Sequence, residues 1–170
     1  LHKEEIGVEN RFHEVISYIK KHKDKKKIAV LVSGDPGLYS FLEMLRRELK
    51  RDAYEVISGV STVQIAFARI GEGWQDVKII SLHGRNLDGL AKKIKDNPKV
   101  FIFTDPDLTP GKIAGYLLKR GTENRRAIVL ENLSYPNERI IDTDLVNLSK
   151  MRGFGLCVMI VRKILPLRTP

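Results

Sequence analysis

The residues best suited to chemistry lie in short polar loops, each following an apolar run. Ser81-Leu82-His83-Gly84-Arg85 sets an imidazole beside a small residue and a guanidinium. Histidine is the side chain that exchanges protons near neutral pH, and arginine grips carboxylates in a bidentate fork. The same string also describes an exposed polar loop. In Ser33-Gly34-Asp35-Pro36-Gly37, the glycines let the backbone approach a ligand closely. There Asp35 can accept hydrogen bonds from a ribose or an amino group, or it can simply cap a turn. Ser58-Gly59-Val60-Ser61-Thr62 clusters hydroxyls and free amides where a helix should open. That suits a carboxylate or an adenine edge, and N-capping by Ser61 needs no ligand at all. Phe103-Thr104-Asp105 is followed by Thr109-Pro110, where loop and helix capping account equally well for the polar residues.

Other chemistries are poorly served. The chain has no G-x-G-x-x-G, no G-x-x-x-x-G-K-[ST] and no H-E-x-x-H. It has no G-x-S-x-G elbow. Its four histidines share no metal-ligand spacing, and one cysteine, Cys157, makes neither a disulfide framework nor a thiolate cluster. No metal is expected, and a reducing, cytoplasmic setting fits the cysteine usage.

The loops must be held by the elements around them. Phe12, Val15, Ile16 and Ile19 repeat at helical spacing, and a lysine-rich turn follows at 20–27, where it complements a helix dipole. The apolar run in Lys27–Ser33 reads as a strand buried on both faces. A helix over 38–50, a strand over 54–57 and a helix over 61–70 follow, the last with Ser61 and Gln64 in a capping-box pattern. Then come strand 77–81, helix 87–95, strand 99–103 and helix 109–120, with Pro110 in its first turn. Strands at 127–130 and 138–142, a helical turn at 145–149 and a strand at 156–161 complete the pattern, with a hairpin near 134–137. Strands alternating with helices predict an α/β fold. The expected division is an N-terminal lobe over 1–97, its sheet largely parallel, and a C-terminal lobe over 98–170 with a mixed sheet. The marker is Asp96-Asn97-Pro98 before a strand and Asp105-Pro106-Asp107 after it. In open α/β sheets, ligands bind at the carboxyl ends of strands, where the four loops fall.

The 170 residues carry 30 Lys and Arg against 21 Asp and Glu, a net charge of +9. Such a balance attracts nucleic acid, anionic membranes or a polyanionic small molecule, though acids are interleaved with most of the bases. No apolar run approaches the ~20 residues of a membrane helix. The interleaved aromatic and basic stretch of base-stacking surfaces is missing too. The chain opens Leu1-His2-Lys3 without an initiator Met, which points to an earlier natural start.

The order SGDPG, SGVSTVQIAFARIG, SLHGR, FTDPDLTP, VLENLSYPNERI resembles the tetrapyrrole methylases. It covers most of the chain, from about Asn10 to Val161. Within that family it is most similar to the carbon-5 methyltransferases of cobalt-precorrin-7 in cobalamin synthesis. The resemblance implies two α/β lobes with S-adenosylmethionine between them, in a cytoplasmic homodimer with a polycarboxylate tetrapyrrole as substrate. It also implies an upstream strand and Gly-rich loop that this sequence lacks, so its first lobe is shortened at the start. Carried over on matching positions, Gly34, Asp35, Leu38, Ser61, Thr62, Thr104 and Leu130 contact the cofactor. The candidate bases for a late proton loss are His83 and then Glu131. Methyl transfer from a sulfonium needs no protein nucleophile, only alignment and exclusion of water, which contribute several kcal/mol. Arg85, Arg69 and Lys112 are candidate partners for substrate carboxylates. Competing expectations are a superfamily enzyme acting on ribosomal RNA and a non-catalytic α/β binding module.

Overall fold

A computed structural model describes residues 4–8 and 11–164. The chain divides into two compact units, one up to Ser61 and one from Thr62 on.

The first unit is built on two helices. Val15, Ile16 and Ile19 lie on one face of α1 (Phe12–His22) and pack with Phe41 and with Leu45 of α2 (Leu42–Glu48). Lys20, Lys21 and His22 form the last turn of α1, where positive charge meets the carbonyl end. Lys20 Nζ also reaches Glu48 Oε2 at 2.6 Å. The strands expected at 27–33 and 54–57 are not formed among the described residues. A strand exists only through a ladder to a neighbour, and neither segment has one. Both line a cavity of about 760 Å³, and Leu31 and Ile57 are 88% and 79% exposed.

The second unit opens with α3 (Thr62–Ile70), immediately after Ser61. Five strands follow: β1 (Lys78–Ser81), β2 (Lys99–Phe103), β3 (Arg126–Glu131), β4 (Arg139–Asp144) and β5 (Cys157–Arg162). They form one mixed sheet in the order β1-β2-β5-β3-β4. Parallel pairing is confined to β1 and β2, so residues 78–81 share a sheet with residues 99–162. The expected crossover from β1 to β2 is supplied by α4 (Leu90–Asp96).

The inner strands are apolar without interruption because both faces are covered. Val100, Ile102, Ala127, Val129, Met159 and Val161 point one way and pack on helices. Those helices are α4, α5 (Pro110–Lys119) and α6 (Leu145–Leu148), through Ile94, Ile113, Leu117 and Leu148. The alternate positions, Phe101, Ile128, Val158 and Ile160, are buried on the other face. There the Phe101 ring lies 6.1 Å from Phe67 of α3. The hairpin expected near 134–137 is present between β3 and β4.

Candidate active site

Parallel pairing sets the carboxyl ends of β1 and β2 side by side. Two antiparallel steps through β5 bring the end of β3 to the same edge, because Phe103 and Leu130 both pair with Val158. Ser81, Phe103, Glu131 and the first residue of β5, Cys157, therefore share one edge of the sheet. Four of the sequence-predicted residues, His83, Thr104, Leu130 and Glu131, gather there.

The loop after β1 is tied to the loop after β2 by backbone and side chain. Leu82 N–H donates to the Phe103 carbonyl at 2.9 Å. Asp105 Oδ2 accepts from Gly84 N–H at 3.1 Å, and Oδ1 accepts from Asp107 N–H at 3.0 Å. These two bonds, with a smaller contribution from His83, hold the Asp105 carboxyl below its ordinary pKa. His83 Nδ1 lies 3.6 Å from Asp105 Oδ2. The imidazole is 80% exposed and the carboxylate 16%. Sequence reasoning offered the Asp105 loop as part of a cleft or as a cap; Asp105 does cap Asp107 N–H, and its approach to His83 was not foreseen. Parallel strands ending in register were the only signal for it.

Thr104 Oγ1 donates to the Cys157 carbonyl at 2.6 Å and lies 3.4 Å from Cys157 Sγ. Burial raises the Cys157 thiol pKa, which keeps it protonated and unreactive. Leu130 is 1% exposed and lies between β4 and β5, paired with Ile140 and Val158. Glu131 is 3% exposed. Its Oε1 accepts from Gly155 N–H at 2.7 Å, and its Oε2 accepts from Arg139 Nε at 2.6 Å. The carboxylate is thus committed on both oxygens.

The first unit assembles a second group: Gly34, Asp35, Leu38 and Ser61. Asp35 Oδ1 accepts from Gly37 N–H at 2.8 Å, and Oδ2 accepts from Gly59 N–H at 3.3 Å. Leu38 N–H closes the turn onto the Asp35 carbonyl at 3.1 Å. A Cβ on Gly59 would stand 2.4 Å from the Gly34 carbonyl oxygen, so the two loops meet backbone to backbone. Ser61 is buried behind them. Thr62 is the first residue of α3 and belongs to the other unit.

Of the proposed carboxylate partners, Arg69 donates to Glu138 Oε1 at 2.6 Å, and Lys112 Nζ donates to the Asp107 carbonyl at 2.9 Å. Arg85 lines a cavity of about 380 Å³ with Ser81, Gly84, Asn86 and Lys93.

An α/β protein with a mixed sheet, and with its polar residues collected on strand-end loops, is of the class that places its ligands at the carboxyl ends of strands. The match narrows that class: residues 2–149 fit the family model for Tetrapyrrole (Corrin/Porphyrin) Methylases, and the chain belongs to that family. Over 136 residues it is 40% identical to a probable cobalt-precorrin-7 C(5)-methyltransferase of Methanocaldococcus jannaschii. That alignment covers 77% of this chain and 63% of the relative, so the chain spans less than two thirds of the relative's length. A precorrin-6Y methylase of cobalamin biosynthesis from Archaeoglobus fulgidus shares the fold, with a TM-score of 0.64 and 22% identity. The match takes in 89% of this chain and 71% of that one. A uroporphyrin-III C-methyl transferase from Thermus thermophilus, solved with S-adenosyl homocysteine, aligns with a TM-score of 0.71 and 19% identity. There the coverage is 94% and 76%.

Proposed function

We propose that the chain belongs to a methyltransferase that uses S-adenosylmethionine to methylate carbon 5 of cobalt-precorrin-7 in cobalamin synthesis. The observation that carries the reading is the 40% identity to a relative of that name along 77% of the chain. The loops agree with it. Gly34, Asp35, Leu38 and Ser61 of the first unit are candidate contacts for the cofactor in this reading, as are Thr62, Thr104 and Leu130 of the second. When bound, the sulfonium supplies an activated methyl group. The protein's own task is then to hold the ring carbon in line, exclude water and accept the proton that carbon loses. His83 is the base in this reading. Glu131, the second candidate, is already engaged by Gly155 and Arg139 and serves to fix the loop before β5.

The substrate is a polycarboxylate macrocycle, which the net charge of +9 would draw to the protein. Arg85 and Lys93, which line one cavity with Gly84, are the cations this reading assigns to the substrate's side-chain acids. The working form is a cytoplasmic homodimer that binds no nucleic acid.

Calorimetric titration with S-adenosylhomocysteine, the demethylated product, tests the reading. Micromolar binding is expected. Absence of binding, both by this chain and by the full-length protein, would overturn it.

A further inference from the structure

We propose that Asp105 is the positioning residue for His83, holding the imidazole Nδ1–H so that Nε2 takes the proton from the methylated ring carbon. This inference rests on the methylase reading above and assigns Asp105 a part that reading does not contain.

The two groups already stand close. Asp105 Oδ2 stands 3.6 Å from His83 Nδ1, longer than a finished hydrogen bond. Catalytic hydrogen bonds are often long without substrate and tighten when it binds. The carboxylate cannot swing away to meet solvent, because Gly84 N–H and Asp107 N–H each hold one oxygen. Those bonds also keep it ionised, so it acts as an acceptor. An ionised acceptor beside Nδ1 favours the tautomer with hydrogen on that nitrogen. The lone pair then falls on Nε2, and with the ring 80% exposed that edge is open to a bound macrocycle.

The step balances without another reactant. The ring double bond supplies the electron pair for the new carbon–methyl bond. The pair of the breaking sulfur–methyl bond stays on sulfur. The ring carbon then gives its proton to Nε2, and the C–H pair restores the double bond. Asp105 remains ionised throughout and offsets the imidazolium charge.

The test is the tautomer of His83 in the ¹⁵N-labelled chain at alkaline pH, read from long-range ¹⁵N–¹H correlations and assigned with His83→Gln. The expected result is a dominant Nδ1–H form. Asp105→Ala should shift the ratio toward Nε2–H by about fivefold or more. Asp105→Asn, which keeps a neutral acceptor but removes the charge, serves as the second variant should Ala unfold the loop, with a smaller shift in the same direction expected. A dominant Nε2–H form in the unmodified chain, or a ratio unmoved by either variant, would overturn the inference. In turnover by the full-length protein, Asp105→Ala should lower kcat about tenfold or more with KM little changed. A raised KM with unchanged kcat would also count against it. The S-adenosylhomocysteine titration is read separately. Loss of that binding strikes the methylase reading, whereas the tautomer strikes only the role of Asp105.

Discussion

The Arg125 guanidinium closes the end of a helix thirty-one positions earlier in the chain: its Nη1 donates to the Ile94 carbonyl at 2.6 Å. The same nitrogen donates to the Asn97 carbonyl at 2.7 Å, so the last turn of α4 is capped by a side chain from the approach to β3. Arg125 is 1% exposed, the largest of the fully buried side chains among the described residues. Its charge is balanced by Glu123 Oε1 at 3.0 Å.

Replacing Arg125 by Met would remove this donor from the Asn97 carbonyl and leave the Ile94 carbonyl only the long bond from Asn97 N–H at 3.4 Å. The expected loss is about 3 kcal/mol of stability, the usual scale for a buried charged hydrogen-bond network broken on one side. A urea midpoint unchanged from the parent chain would contradict this.

Gly59 should tolerate no side chain. The Cβ of Gly59→Ala meets the Gly34 carbonyl at 2.4 Å, and that atom is backbone, not a flexible side-chain tip. The loops must part, at a cost of about 1–3 kcal/mol. Affinity for S-adenosylhomocysteine should fall at least about tenfold, since a near-ångström misplacement of binding groups has effects of that order or more. Calorimetry on the variant reads both effects if paired with a melting curve.

Acid should loosen the His83 loop before it unfolds the sheet. The Asp105 pKa is lowered in the folded chain, so its contribution to stability is present above the ordinary value of 3.8. That contribution is lost as pH falls below 3.8 through the lowered folded value. Amide signals of Gly84 and Asp107, the two donors, should move together in this window. In Asp105→Asn the pH dependence of the Gly84 signal should largely vanish, because no proton is then taken up at that position.

Glu131→Ala should destabilise the chain by about 1–3 kcal/mol, through loss of its charged hydrogen bonds to Gly155 N–H and Arg139. Arg139 is 56% exposed and can return to water. If Glu131 holds the loop and takes no part in proton transfer, Glu131→Gln should retain most activity, because its carbonyl oxygen still accepts from Gly155. A kcat loss as deep as that of His83→Gln would reverse this assignment.

Several elements were legible along the chain because local pattern dictates them. Pro110 at the first position of α5, the unbroken apolar runs of β2, β3 and β5, and the Lys-rich end of α1 each express a short-range rule. So does the family, which is carried by motifs such as SLHGR and GVSTVQIAFARIG. Residues 28–32 and 54–57 have the composition of strands yet form none among the described residues. A strand depends on a neighbour, and no string of residues contains its own partner.

The same reason separates what composition and order determined from what only tertiary structure decided. The sequence by itself determined the α/β class, the loops that carry polar chemistry and the kinship with the tetrapyrrole methylases. Which loops meet was decided by sheet order. Residues 83 and 105 come together because β1 and β2 run parallel in register. Residues 104, 131 and 157 come together because β5 enters the sheet between β2 and β3. Strand order follows from long-range pairing and helix coverage of both faces. Those contacts link residues far apart in sequence and leave no periodic mark on either segment.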